Sequence, residues 1–167
     1  MRLFGNKYVL VNRNSLTKAG GAGMYIKSEI KYKLRYDLNM NIDNCEDIWV
    51  ELIQNGMKFI TCTIYRHPRH NYMKFQDSLT HTLTKLENAI LNIYILGDIN
   101  IDLLRYSDHN RVKFYVDTLH SVNAKNLINK PTRLIDHSFS LIDPVYTNDR
   151  NNGHLWSSSH FHKKYMH

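Results

Sequence analysis

The chain has 167 residues, 43% hydrophobic and 22% charged, the balance of one globular domain able to bury its own core. Cys45 and Cys62 form no CxxC pair, no apolar run nears the ~20 residues that span a bilayer, and MRLFGNKYVLVNRNS has no continuous apolar core. A zinc ribbon, a disulfide scaffold, a membrane span and a signal peptide are thereby disfavoured, and a soluble, intracellular protein is expected.

The net charge of +7 is concentrated at the front, where residues 1–36 hold eight Lys and Arg against the single acid Glu29. A basic face of that kind attracts polyanions such as nucleic acid, although a solvated surface explains the charge equally well.

In chain order, GAGMYIK (21–27) reads as a strand entered through glycines and YKLRYDL (32–38) as a second. EDIWVELI (46–53) alternates Ile48, Val50 and Leu52 with Trp49, Glu51 and Ile53, the pattern of a strand with two partly buried faces. Asn55-Gly56 is a type I′ hairpin signal, and MKFITCTIY (57–65) is the returning strand. From 71 to 91, Tyr72, Phe75, Leu79, Leu83, Leu86 and Ile90 recur every three or four residues, which predicts an amphipathic helix with Asn71 as its N-cap. NIYIL (92–96) is a short buried strand ending at Gly97. A second helix is predicted over 108–122 with Val112, Tyr115, Val116 and Leu119 inward, and a last strand over 137–148 with its acid in the middle. Pro68, Pro131 and Pro144 each stand close to an element boundary. Strands first, then strands alternating with helices, define a layered α/β protein.

The chemistry gathers at ILGDINIDLL (95–104). Asp98 stands just past the carboxyl end of a buried strand, where α/β layers commonly place a ligand crevice. Asp98 and Asn100 offer hard oxygen donors suited to Mg²⁺, while GDIN reads equally well as a Gly-bent Asx turn.

Four segments, in order, resemble the endonuclease domain of LINE-type (non-LTR, jockey-like) retrotransposons, within the endonuclease/exonuclease/phosphatase superfamily. AGGAGMYIK (19–27) resembles its Gly-rich entry to a strand, and IYRHP (64–68) its Tyr-Arg-Pro-Pro segment. LGDINIDLL (96–104) is similar to its Gly-Asp-Phe-Asn motif, with Ile99 for Phe. NKPTRLIDHSFSLIDPVYTN (129–148) resembles its Pro-Thr-Arg turn and the strand after it.

The resemblance implies a fragment of a four-layered α/β sandwich over residues 1–148, two packed mixed sheets flanked by helices, with an irregular His- and Lys-containing tail at 149–167. It implies metal-dependent hydrolysis of phosphodiesters, with DNA as the partner and Mg²⁺, replaceable by Mn²⁺, as the cofactor. It implies no membrane and no small-molecule cofactor, and nuclear action where the protein works as the family does. Tyr65 would contact the scissile phosphate, Asp98 would orient or deprotonate water, and Asn100 would hold that water or the phosphate. Asp98 and Asn100 would also make up an incomplete metal site. Thr132 and Arg66 would contact DNA phosphates, and Asp143 would brace a transition-state histidine, for which His160 in SSSH is the candidate. Asp102 lies outside the family's catalytic set and reads as a cap. Each role has a plainer counterpart: Tyr65 as a strand aromatic, Asp143 as a turn former, and the C-terminal histidines as a surface tail.

The family's catalytic Asn and metal-binding Glu strands have no room before residue 19, its closing Ser-Asp-His motif is lacking, and Pro144 replaces the His after Asp143. The resemblance therefore implies impaired catalysis. A non-catalytic nucleic-acid-binding remnant and a divergent phosphodiesterase or phosphatase are the alternatives.

Overall fold

The computed structural model describes residues 6–11, 21–69, 71–87, 91–135 and 137–149. Among these described residues ten strands and two α-helices follow in order: β1 Asn6–Val11, β2 Ala22–Lys27, β3 Lys31–Leu34, β4 Cys45–Gln54, β5 Met57–Arg66, α1 Tyr72–Glu87, β6 Asn92–Leu96, α2 Asn110–Ser121, β7 Lys125–Asn126, β8 Arg133–Ile135, β9 Ser138–Ser140 and β10 Val145–Thr147.

Six of the strands form one sheet in the order β3-β4-β5-β6-β10-β7, while β1 pairs with β2 and β8 with β9. Every pairing is antiparallel except β5 with β6, whose parallel alignment requires the crossover that α1 supplies. The β4–β5 hairpin turns on Asn55 and Gly56 with φ of +51° and +76°, both left-handed as a type I′ turn demands.

Strand parity sorts the side chains onto two faces. Cys45 and Trp49 pair in register with Arg66 and Cys62, and together with Ile60, Ile64, Ile93 and Ile95 they meet the helices. Against them α1 places Phe75, Leu79, Leu83 and Leu86, and α2 places Val112, Tyr115 and Leu119. Each of these buried side chains contributes about 1.5–3 kcal/mol of transfer free energy. On the opposite face, Ile48 and Val50 pack with Ala22 and Ile26 of β2. The described residues thus form helices on a mixed sheet on a second, smaller sheet, consistent with a layered sandwich.

Asn71 caps α1, its side-chain oxygen accepting from the Met73 and Lys74 amides at 2.9 and 3.2 Å. The helix is described to Glu87, and Ile90 lies outside the described residues.

Two expected strands are interrupted. The one predicted over 32–38 ends at Leu34, and Tyr36–Leu38 turns as a 3-10 helix. There Arg35 forks onto Asp37 at 2.7 and 2.9 Å, and Leu38 is fully buried beneath α1, with its carbonyl accepting from the Thr82 hydroxyl. The strand predicted over 137–148 divides into β9 and β10. Between them the amides of Leu141, Ile142 and Asp143 donate to side chains rather than to a neighbouring strand, and Pro144 has no N–H to donate.

Candidate functional site at the carboxyl ends of β5 and β6

β6 ends at Gly97, whose φ is +132°. A Cβ at this position would lie 1.9 Å from the Ile64 carbonyl oxygen, so only glycine lets the chain leave β6 this close to β5. The segment after it is fastened to the core by Ile99 and Ile101, both buried, and to β5 by the Arg66 amide donating to the Asp98 carbonyl at 2.9 Å. Asn100 adopts φ of +49°, a left-handed conformation that Asn tolerates better than most residues. Its amide N–H donates to Asp98 Oδ1 at 3.0 Å, the Asx turn that GDIN foreshadowed.

The opposite wall is the segment between β9 and β10. The Ile99 amide donates to the Ile142 carbonyl and the Leu103 amide to the Leu141 carbonyl, each at 3.0 Å. Thr132 Oγ1 accepts from the Ile142 and Asp143 amides at 3.1 and 3.2 Å, which fixes the backbone that carries Asp143. Asp102 caps the 3-10 turn Leu103–Arg105 through the Leu104 amide, and the same Oδ1 accepts from the Leu141 amide at 3.0 Å. The capping role expected of Asp102 is therefore joined by a bridge between the two walls, which sequence spacing does not reveal.

Asp98 and Asp143 are brought close enough to interact electrostatically. Partial burial pushes the Asp98 carboxyl above its usual range; the Asn100 amide pulls it back, and the Asp143 charge raises it again. A hard divalent cation relieves such a like-charged pair. Mg²⁺ commonly takes only one or two carboxylates, completing its shell with water and phosphate, so the oxygen donors Asp98, Asp143 and Asn100 are chemically suited to it. Among the described residues no cluster of three or more His, Cys, Asp or Glu side chains is placed to hold a metal.

Tyr65 is half-buried on the sheet face opposite the helices, directly across from Glu46 of β4. The Tyr65 hydroxyl makes no hydrogen bond among the described residues. Glu46, only 6% exposed, is a buried carboxylate in this neighbourhood that the motifs did not single out. Its only sequence signal is an acid at the head of the strand face that continues with Ile48, Val50 and Leu52.

Arg66 differs from its expected place. One residue on from Tyr65, it faces the helices, is 5% exposed and lies with its guanidinium 5.6 Å from the centre of the Phe75 ring. Its Nε and Nη2 donate to the Ile99 and Asn100 carbonyls at 2.7 and 2.9 Å. A guanidinium so engaged braces the Asp98–Asn100 turn from beneath and is a positioning residue. His160, together with residues 150–167, lies outside the described residues, as do residues 12–20 of the basic front.

The architecture is a mixed sheet with helices on one face and a second sheet on the other, with a Gly-Asp-x-Asn turn past the strand ends. Among solved structures the chain is similar to the endonuclease domain of TRAS1, a telomere-specific non-LTR retrotransposon, at TM-score 0.64 and 14% identity, over 86% of this chain and 65% of that one. It is also similar to an endonuclease/exonuclease/phosphatase family protein of Bacteroides thetaiotaomicron, at TM-score 0.59 and 15% identity over 87% and 60%. A third similarity is to D. rerio TDP2 complexed with a single-strand DNA product, at TM-score 0.57 and 9% identity over 86% and 62%. The chain thus spans somewhat under two thirds of the length of these structures. No protein-family model and no curated protein matches the sequence. Among the described residues no helix is long and apolar enough to cross a membrane.

Proposed function

We propose that this chain is part of a metal-dependent phosphodiester hydrolase acting on DNA, of the retrotransposon-endonuclease kind, with impaired turnover. The observation that carries the reading is the tethering of the Asp98–Asn100 turn to the segment bearing Asp143, which brings two carboxylates within electrostatic reach past the carboxyl ends of β5 and β6. In this reading Asp98 and Asn100 hold Mg²⁺ or the attacking water, Tyr65 contacts the scissile phosphate, and Thr132 offers its hydroxyl hydrogen to a phosphate oxygen. When bound, the metal supplies charge neutralisation at the phosphate. The printed titles of two similar structures, a retrotransposon endonuclease and a protein holding a DNA product, favour nucleic acid as the substrate class. Nuclear action would follow from that substrate.

Impairment is inferred from the donor set. In the sequence Pro144 follows Asp143 where the resemblance implies a histidine, and the developing charge in an in-line attack needs such a partner. His160 is the one candidate named from sequence.

Two measurements on the purified chain test the reading. Mg²⁺ should raise the denaturation midpoint of the parent but not of Asp98→Ala, and nicking of supercoiled plasmid should be weak or undetectable. Vigorous Mg²⁺-dependent nicking that Asp98→Ala abolishes would overturn the impairment and direct attention to His160. A midpoint indifferent to Mg²⁺, with no nicking, would overturn the metal-dependent reading and leave nucleic-acid binding alone.

A further inference from the structure

On the helix side of the sheet, behind the Asp98–Asn100 turn, lies an open pocket of about 650 Å³. Its inner wall is the buried Arg66, and its rim carries Arg105, His109 and Arg111, with the Tyr72 ring alongside. One acid, Asp102, reaches it, but its Oδ1 already accepts from the Leu104 and Leu141 amides. Asp102 keeps its charge, but three arginines against that one acid leave the lining cationic, and the volume falls in the range of small-molecule sites.

The rim guanidiniums are only loosely engaged. Arg105 approaches Asp108 through Nε at 3.8 Å, a solvent-exposed contact of little strength. Arg111 lies with its guanidinium 5.6 Å from the centre of the Tyr72 ring, an arrangement that holds the side chain in place without using its N–H groups. Among the described residues the terminal nitrogens of neither arginine donate a hydrogen bond. Two arginine forks with unused donors lining one pocket, beside a third whose donors already hold the Ile99 and Asn100 carbonyls, have the chemistry to receive the oxygens of a phosphoryl group.

We propose that this pocket binds a phosphoryl group, apart from any phosphate held on the Tyr65 face. Arg105 and Arg111 grip it, Tyr72 fixes Arg111, and Arg66 forms the floor. The ligand is a nucleotide phosphate, either a terminal phosphomonoester or a phosphodiester of a nucleic-acid backbone. Because Arg66 also donates to the Asn100 carbonyl, the pocket and the Asp98–Asn100 turn share a wall.

The experiment uses the full chain carrying Asp98→Asn in EDTA, so that neither metal nor turnover contributes. Binding of inorganic phosphate is followed by calorimetry. Binding of a short fluorescent oligodeoxynucleotide, with and without a 5′-phosphate, is followed by anisotropy. Arg105→Gln combined with Arg111→Gln should weaken binding by about tenfold or more, Arg111→Lys by less, and Lys125→Gln not at all. Circular dichroism on each variant confirms that the fold is intact, and Arg105→Gln alone, at an exposed position, remains informative if Arg111 variants unfold.

Arginine-dependent binding confined to inorganic phosphate and the 5′-phosphorylated strand identifies a terminal phosphomonoester. Equal binding of the unphosphorylated strand, with the same arginine dependence, identifies a backbone phosphodiester. Phosphate and oligonucleotide binding unchanged by Arg105→Gln and Arg111→Gln, or no binding by the parent, overturns the proposal. A chain whose midpoint is indifferent to Mg²⁺ and that never nicks DNA, yet binds phosphate through these arginines, would refute the metal-dependent reading alone. Nicking with arginine-independent binding would refute this proposal alone.

Discussion

Arg66 and Asn100 exchange hydrogen bonds: Arg66 Nη2 donates to the Asn100 carbonyl at 2.9 Å, and Asn100 Nδ2 donates to the Arg66 carbonyl at 2.8 Å. The end of β5 and the turn after β6 are thereby locked together at the point where the candidate catalytic groups emerge. Replacing Arg66 with Ala leaves the Ile99 and Asn100 carbonyls without their buried donors and opens a gap beside Phe75. A loss of about 2–4 kcal/mol in urea unfolding is expected. Arg66→Lys, which cannot donate in the same fork, should recover only part of it. A variant as stable as the parent would show that the exchange has no structural weight.

Gly97→Ala should be among the most damaging single changes. The added Cβ meets the Ile64 carbonyl oxygen at 1.9 Å, and a φ of +132° is strained for any residue with a side chain. Destabilisation above about 4 kcal/mol, or insoluble expression, is the expected outcome. Near-parental thermal stability would contradict the close approach of β6 to β5.

The elevated carboxyl of Asp98 has a definite sign in stability. Its folded value lies above the ordinary 3.8 because burial and then Asp143 oppose its charge more than the Asn100 amide favours it. The folded state therefore holds the proton more tightly than the unfolded chain. Stability from this group is fully present below the unfolded value and is lost as pH rises through the folded one. Asp98→Asn, which keeps an oxygen for the Asn100 amide, should be more stable than the parent at pH 7, and the gap should close below about pH 3.8. Denaturant midpoints at both pH values test this. Asp143→Asn should shift the Asp98 titration downward, as seen in carboxyl carbon chemical shifts.

Thr132 holds the Asp143 segment through a single oxygen that accepts two amides. Thr132→Val removes that acceptor with little change of shape and should cost about 1–3 kcal/mol, with faster hydrogen exchange at Ile142 and Asp143. Thr132→Ser should leave both amides protected. Equal exchange in the Val and Ser variants would assign the order of this segment to other contacts.

At the start of α1, Asn71→Ala removes an acceptor from the Met73 and Lys74 amides and should lower stability by about 1 kcal/mol, whereas Asn71→Ser or Asp should be close to neutral. Thermal unfolding of the three variants is sufficient to tell.

The elements of the central sheet were legible wherever one physical rule acted alone. Alternation in EDIWVELI and MKFITCTIY, with Asn-Gly between them, specified the β4–β5 hairpin, and the three- and four-residue spacing specified the buried faces of α1 and α2. The turn that carries the candidate site was legible: a glycine, an acid and an asparagine after an apolar strand form an Asx turn, as local chemistry dictates. The strands predicted over 32–38 and 137–148 are shorter in the structure, because their ends are set by partners far away in sequence. Leu38 is drawn beneath α1, and the amides of residues 141–143 are claimed by Asp102 and Thr132.

What the sequence by itself determined is the set of groups available and the local turns that present them, since these follow from side-chain chemistry and backbone preference within a few residues. Only the tertiary structure decided which groups work together. Tyr65 and Arg66 are neighbours in sequence but stand on opposite faces of a pleated strand, so one lies on the face opposite the helices while the other turns toward them. Asp98 and Asp143, far apart along the chain, become electrostatic neighbours because hydrogen bonds tie their two segments across the end of the sheet.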